Sequence, residues 1–276
     1  MWGQELVRGA YADHEIRFRF QACACILIIL AYLLFFSACS SMLRVSCRHR
    51  TNLVNSRDVD SVLAKLSVGR GLEARRVEFA RAVVEARLIT DAFAEAHDWQ
   101  GFAQIDSFHS VEVYASQREL WERVIQLENL PADARLPTGG FAASIIATVL
   151  VAIIPEEYNR LRPEYNVAQD AWVRLLAHEM IHQLHLRIVG DRETAMGPRW
   201  FYEAFAIRGA GQHLAGKGEI RNLDEALSAM QARGRGSYAR FEQALLYFER
   251  RVDLKELVCR AAQENFEAWL RSVARE

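Results

Sequence analysis

No charge of one sign dominates this chain: 34 Lys and Arg stand against 35 Asp and Glu in 276 residues, for a net charge of -1. That balance provides no basic face for nucleic acid and no acidic run of the kind that solvates a tail. Closely spaced cysteine pairs are also lacking in the folded region. Cys23, Cys25, Cys39, Cys47 and Cys259 are all there are, and three of them fall in or at the end of one apolar stretch near the N-terminus. This pattern excludes a disulfide framework and a cysteine-rich zinc site in the folded region, so any metal must be held by histidines and carboxylates. Internal repeats and low-complexity segments are absent as well. What is present is a hydrophobic content of 51%, ordinary for a globular protein with a substantial core.

Residues 22–38 read ACACILIILAYLLFFSA, seventeen positions without a charge. The run is short for a membrane span and close in size to the apolar region of a signal peptide. Arg17 and Arg19 precede it, and Phe36-Ser37-Ala38-Cys39 closes it with small residues and then a cysteine. This end resembles a bacterial lipoprotein signal, which implies lipidation of Cys39 and a chain held on the cell envelope, facing the periplasm or exterior. The long leader with Asp13 and Glu15, and the cluster Arg44, Arg48 and Arg50 after the run, depart from that pattern. An uncleaved anchor is the second reading, and its basic flank would keep the C-terminal part in the cytoplasm. Residues 1–39 are therefore expected to be a signal or anchor and 40–58 a tether, with one domain over 59–276.

Within that domain, residues 62–96 carry apolar positions at helical spacing, broken near Gly69 and Gly71, and read as two helices of a lead-in over 59–97. The alternation of residues 109–114 predicts a strand, and 116–126 a helix. Residues 147–154 (ATVLVAII) form an apolar run closed by Pro155 and read as a buried strand. Helices are expected over 170–186 and from Pro198 onward, a residue tolerated in a first turn. Residues 223–273 contain no strand signal and read as three helices. The fold class expected is α+β, mostly helical, with a small sheet and its helices over 105–212 and an all-helical part over 223–274.

His178-Glu179-Met180-Ile181-His182 is an H-E-x-x-H sequence inside the predicted helix. Two histidines four apart lie about 40° apart around a helix and about 6 Å along it, so both imidazoles can reach one metal. Glu179 projects from the flank of that face, placed to act as general base on a water that zinc acidifies towards a pKa of about 7. A third ligand must come from another element, and Glu203, twenty-one residues beyond His182, is the candidate. His185 and Ile188 stand where a metzincin would need a glycine and a histidine, which excludes that class. His185 shares the helix face of the motif and reads as a supporting or surface histidine. His97, His109 and His213 read as solvated or capping residues, and Trp99, Trp121, Trp172, Trp200 and Trp269 as core.

The H-E-x-x-H helix followed by Pro198-Arg199-Trp200-Phe201-Tyr202-Glu203-Ala204-Phe205-Ala206 resembles the gluzincin metallopeptidases, in particular their peptidase-MA-like members. The match spans roughly residues 111–270, specific in the two helix motifs and loose elsewhere. It implies one zinc on His178, His182 and Glu203, and a sheet whose edge strand, near residues 140–143, binds extended peptide or protein substrate. Ser237-Tyr238-Ala239-Arg240 is similar to a family segment bearing a tyrosine, which implies that Tyr238 stabilises an oxyanion; packing at a helix start is the other reading of this residue. One departure is Ile207, where the family often has an acidic residue that orients a ligating histidine. That partner has to come from elsewhere, Asp191 or a backbone carbonyl. A zinc-dependent peptide or amide hydrolase and a metal-binding envelope scaffold without turnover both remain open, the presence of Glu179 favouring the first. Ester hydrolysis is a third, weaker fit.

Overall fold

The computed structural model describes residues 54–274 apart from 105, 138–139, 166–169, 213–218 and 235. The expected signal or anchor with Cys39, most of the tether, and His213 lie outside the described residues. No described helix is long and apolar enough to cross a membrane.

The chain is α+β and mostly helical, with eleven helices and one four-stranded sheet among the described residues. Helix α1 (Ser56–Leu63) starts on Asn55, whose side chain accepts from the Arg57 amide at 3.1 Å. Then comes strand β1 (Leu66–Val68), followed by the long helix α2 (Arg76–Ala96) and a single turn, α3 (Gln100–Ala103). The two helices expected here are thus separated by a strand. Three residues are too few to show alternation. Parallel pairing with strand β2 (Ser110–Tyr114), in the register Leu66 to Val111, gives β1 its conformation. The lead-in is therefore part of the sheet.

Helix α4 (Gln117–Leu127) begins on Ser116, whose hydroxyl accepts from the Glu119 amide at 3.3 Å. The apolar run 147–154 divides differently from the sequence expectation. Its first two residues form a turn between β3 (Ala143–Ile146) and β4 (Val149–Ile153), with Ala147 at φ 46° and Thr148 at φ 67°. Both central residues in the left-handed region define the tight hairpin turn whose twist suits the flanking strands. Ala-Thr is not the Asn-Gly signature of such turns, so hydropathy alone reads through it.

The sheet order is β1-β2-β4-β3, with β1, β2 and β4 parallel and β3 antiparallel to β4 at one edge. Helix α5 (Pro155–Leu161) leaves β4 with a proline in its first turn. The H-E-x-x-H segment lies on α6 (Ala171–Ile188), and α7 (Arg199–Ala210) follows, with Pro198 as its N-cap. Four more helices follow among the described residues: α8 (Leu223–Met230), α9 (Ser237–Glu249), α10 (Leu254–Arg260) and α11 (Phe266–Val273). The expected three become four because Asp253 caps a new helix, its carboxylate accepting from the Lys255 amide at 2.7 Å.

Two apolar clusters hold these elements. One joins the sheet to α2 and to Trp172, Leu175, Leu176 and Met180 of α6. The other joins Ile181 and Leu184 of α6 to α7 and the C-terminal helices. Helix α6 thus belongs to both. Its first turn is tied to the sheet by the Trp172 indole, which donates to the Ile153 carbonyl at 2.7 Å. Its contact with α7 is set by Gly209, where an added Cβ would lie 2.9 Å from two Ile181 side-chain carbons and 3.0 Å from Phe93.

That close approach makes Gly209→Val an overpacking substitution, expected to destabilise the fold by about 1–3 kcal/mol. Urea denaturation checks it: an unchanged midpoint would mean that α6 and α7 tolerate a wider spacing.

Candidate metal centre

His178 and His182 occur on successive turns of α6, and Glu203 comes from the first half of α7. The Nε2 atoms of the two histidines are 3.0 Å apart, and the Glu203 Oε2 lies 3.3 Å from that of His178 and 3.6 Å from that of His182. These three donors form a near-equilateral triangle. Zinc at about 2.05 Å from each of four tetrahedral donors sets them about 3.3 Å apart, so the triangle has the size of one face of such a tetrahedron. Two imidazoles and a carboxylate also match the donor set of catalytic zinc, which leaves a fourth position open. The residues fit a metal of this kind. Among the described residues, they are the group of histidines and carboxylates arranged to hold an ion.

Burial makes the triangle costly without a positive charge. Glu203 is only 8% exposed. Burial works against its ionised form, but the hydrogen bonds and charges of His178 and His182 overcome this and hold its carboxyl well below the usual range. Burial likewise opposes protonation of His178, yet its bond to Glu203, the charges of Glu179 and Glu203, and Gln212 together raise it above the ordinary histidine value. His182 stays below that value, chiefly through burial. Burial pushes the half-buried Glu179 carboxyl up to about 7, with His178 opposing the rise and Glu203 adding to it. A divalent ion would supply the missing positive charge to all four groups at once.

Around the triangle lies a cleft of about 320 Å³ lined by residues 140–144, Tyr158, Arg162, Leu175, His178, Glu179, His182, Glu203, Gln212 and Tyr238. A second cleft of about 490 Å³ shares Ser144, Glu179 and His182 and continues past Ile145 to Glu193 and Tyr202. Strand β3 therefore borders both. The strand expected near residues 140–143 runs over 143–146, with Gly140 and Phe141 leading into it. The Ile153 amide donates to the Ala142 carbonyl at 2.9 Å. Because hydrogen-bonded positions alternate in an antiparallel ladder, 142, 144 and 146 face β4, while Ala143 and Ile145 turn their N–H and C=O to the free edge.

Tyr238, in the first turn of α9, lines the first cleft and donates its hydroxyl to Glu203 Oε1 at 3.1 Å. Burial, with the Glu203 charge, pushes its phenol up to about 12, so it remains a donor at neutral pH. Sequence reasoning missed Gln212, whose Oε1 lies 2.9 Å from His178 Nδ1. Asp191, looked for beside that ring, instead lies in the turn after α6, donating its amide to the Leu186 carbonyl. No local signal marks Gln212 in the sequence, since it stands beyond the end of α7.

The other aromatic and imidazole residues have structural places. Trp99, Trp172 and Trp200 are buried, Trp121 and Trp269 half-buried, His109 exposed, and His97 the C-cap of α2. His185 is neither a surface residue nor a partner of the triangle. It is fully buried, stacked on Phe205 at 4.3 Å, and neither ring nitrogen has a hydrogen-bond partner among the described residues. Burial lowers its pKa to about 3. Compared with protein-family models, curated proteins and solved structures, the chain finds no match. The candidate metal centre rests on its own geometry.

His185 gives a pH dependence. Its folded pKa lies below the unfolded value of about 6.5, so the unfolded state binds the extra proton, and stability is lost as pH falls from about 6.5 towards 3. This one group contributes up to about 1.4 kcal/mol per pH unit in that window. His185→Leu should therefore flatten the slope between pH 6 and 4 and raise stability at pH 5, measured by urea titration at each pH. An unaltered slope would mean that His185 does not stay neutral in the fold.

Proposed function

We propose that the chain is a zinc-dependent peptide or amide hydrolase of the gluzincin kind, held at the cell envelope by its N-terminal segment. The observation that carries this is the triangle of Nε2, Nε2 and Oε2 atoms, sized for one face of a zinc tetrahedron and bordered by Glu179 and a free strand edge. His178, His182 and Glu203 would hold the ion. Bound there, zinc would supply Lewis acidity, polarising a carbonyl and making water a nucleophile at neutral pH.

In this reading, an extended substrate adds to the sheet alongside β3, its backbone bonding to Ala143 and Ile145, and so lies across the metal centre with one side in each cleft. The Glu179 carboxylate takes a proton from the attacking water and passes it to the departing amine. Its position at the meeting of the two clefts suits both transfers. The Tyr238 hydroxyl, held beside Glu203 Oε1, is close enough to the first cleft to donate to the oxygen of the carbonyl under attack. The apolar faces of Leu175 and Phe141 line the same cleft and limit water there.

Elemental analysis of the purified chain should give about one zinc per molecule, and Glu203→Ala should lose most of it. Glu179→Gln should keep the zinc while hydrolysis of a peptide library falls by about 10²–10⁴. A folded chain that takes up no zinc would sink the hydrolase proposal, and turnover persisting in Glu179→Gln would sink the role given to that carboxylate.

Tyr238→Phe separates two roles of the phenol. Stabilisation of the oxyanion predicts a kcat lower by about 10²–10³ with zinc retained. Loss of zinc in this variant would show that the hydroxyl serves Glu203 alone.

A further inference from the structure

The two motif helices bring His178 to Glu203, but they do not explain what fixes the His178 ring about its side-chain torsions. The structure assigns this to a short chain of contacts at the far end of α7. Arg174, one turn before His178 on α6, is held by Asp170 through paired bonds of 2.9 and 2.8 Å. Its remaining nitrogen donates to the carbonyls of Ala210 at 3.1 Å and Gly211 at 2.7 Å, the negative end of the α7 dipole. Gly211 ends α7 in the left-handed conformation, φ 64°, and the Gln212 amide closes the turn on the Ile207 carbonyl at 3.0 Å. A side chain at 211 would place its Cβ 2.3 Å from the Arg174 guanidinium, so glycine suits both the backbone and the clamp. Reversed in this way, the chain returns the buried Gln212 to α6, where its carbonyl oxygen meets His178 Nδ1 at 2.9 Å.

We propose that Gln212, seated by Arg174 and Gly211, is the positioning residue of His178: it holds the ring in the tautomer protonated at Nδ1, with Nε2 presented to His182 and Glu203. An amide oxygen can only accept, so the proton of the shared bond belongs to the imidazole. The Nε2 lone pair is then directed into the triangle. Because the acceptor carries no charge, this chain orients its histidine without adding a further carboxylate to a pocket that already buries Glu203 beside Glu179. The consequence for zinc rests on the function proposed above, whereas the ring's tautomer and orientation do not.

The test compares the full chain with Gln212→Leu and Gln212→Glu by two readouts. One is zinc affinity by competition with a chelator. The other is the pair of His178 ring nitrogen shifts from long-range proton–nitrogen spectra, recorded zinc-loaded and, metal-free, at a pH high enough for the ring to be neutral. Gln212→Leu should weaken zinc about 10–100-fold and move the Nδ1 and Nε2 shifts towards a tautomer mixture. Gln212→Glu, which restores an acceptor at the same place, should return the wild-type shift pattern and most of the affinity. Nitrogen shifts unchanged in Gln212→Leu would overturn the proposal whatever the affinity, as would a Gln212→Glu variant that behaves like Gln212→Leu. If the wild-type chain binds no zinc, the hydrolase proposal fails, and the metal-free spectra still decide the role of Gln212.

Discussion

The packing of α6 on α7 is the contact on which the rest of the site depends. A helix pair at ordinary spacing, with a branched residue at 209, would withdraw Glu203 from the histidines. Gly209 meets Ile181 and Phe93, and Ala177, Ala204, Ala206 and Ala210 are all fully buried on the same two helices. The absent side chain at Gly209 lets the backbones approach until side chains as short as a glutamate and an imidazole meet. The apolar clusters on either side of α6 then fix its position along two directions, one through the sheet and one through the C-terminal helices. Position, more than residue type, makes these donors a triangle.

The electrostatics of the pocket follow from that closeness. A buried carboxylate between two imidazoles is stabilised only to the extent that the imidazoles carry protons, and burial opposes protonation of both. The histidines consequently diverge, His178 rising and His182 falling, though they sit on one helix and share one partner. The difference comes from what each touches: His178 has Gln212 and the Glu179 charge, while His182 feels the positive charge of His178. Glu179, without a cation of its own in contact, is left at the value where proton exchange near neutrality is easiest.

Much of this centre was legible in the sequence because helices translate spacing directly into geometry. His178 and His182 share a face by their separation, and Glu203 falls within a second helix beginning at Pro198, so the donor set could be named before any fold was seen. The class of fold was legible for the same reason, as long periodic segments declare themselves. What stayed hidden was specified by contacts distant along the chain. Strand β1 exists through its pairing with β2, the Ala147–Thr148 turn interrupts an apolar run without a turn residue, and Gln212 reaches His178 only because Arg174 draws the end of α7 back onto α6. His185 was misplaced because its position on the motif face says nothing about the aromatic rings, Phe201 and Phe205, that enclose it.

The three donors lie within one short excursion of the backbone, from His178 to Glu203. Loop-closure entropy grows with the length of chain between contacts, and this segment is short. Contacts so local form early relative to those that seat β1 or the last helices. The donor cluster can thus assemble from this one helix pair while the C-terminal four helices are still being synthesised, and an ion captured at that stage would become a nucleus about which the later elements condense.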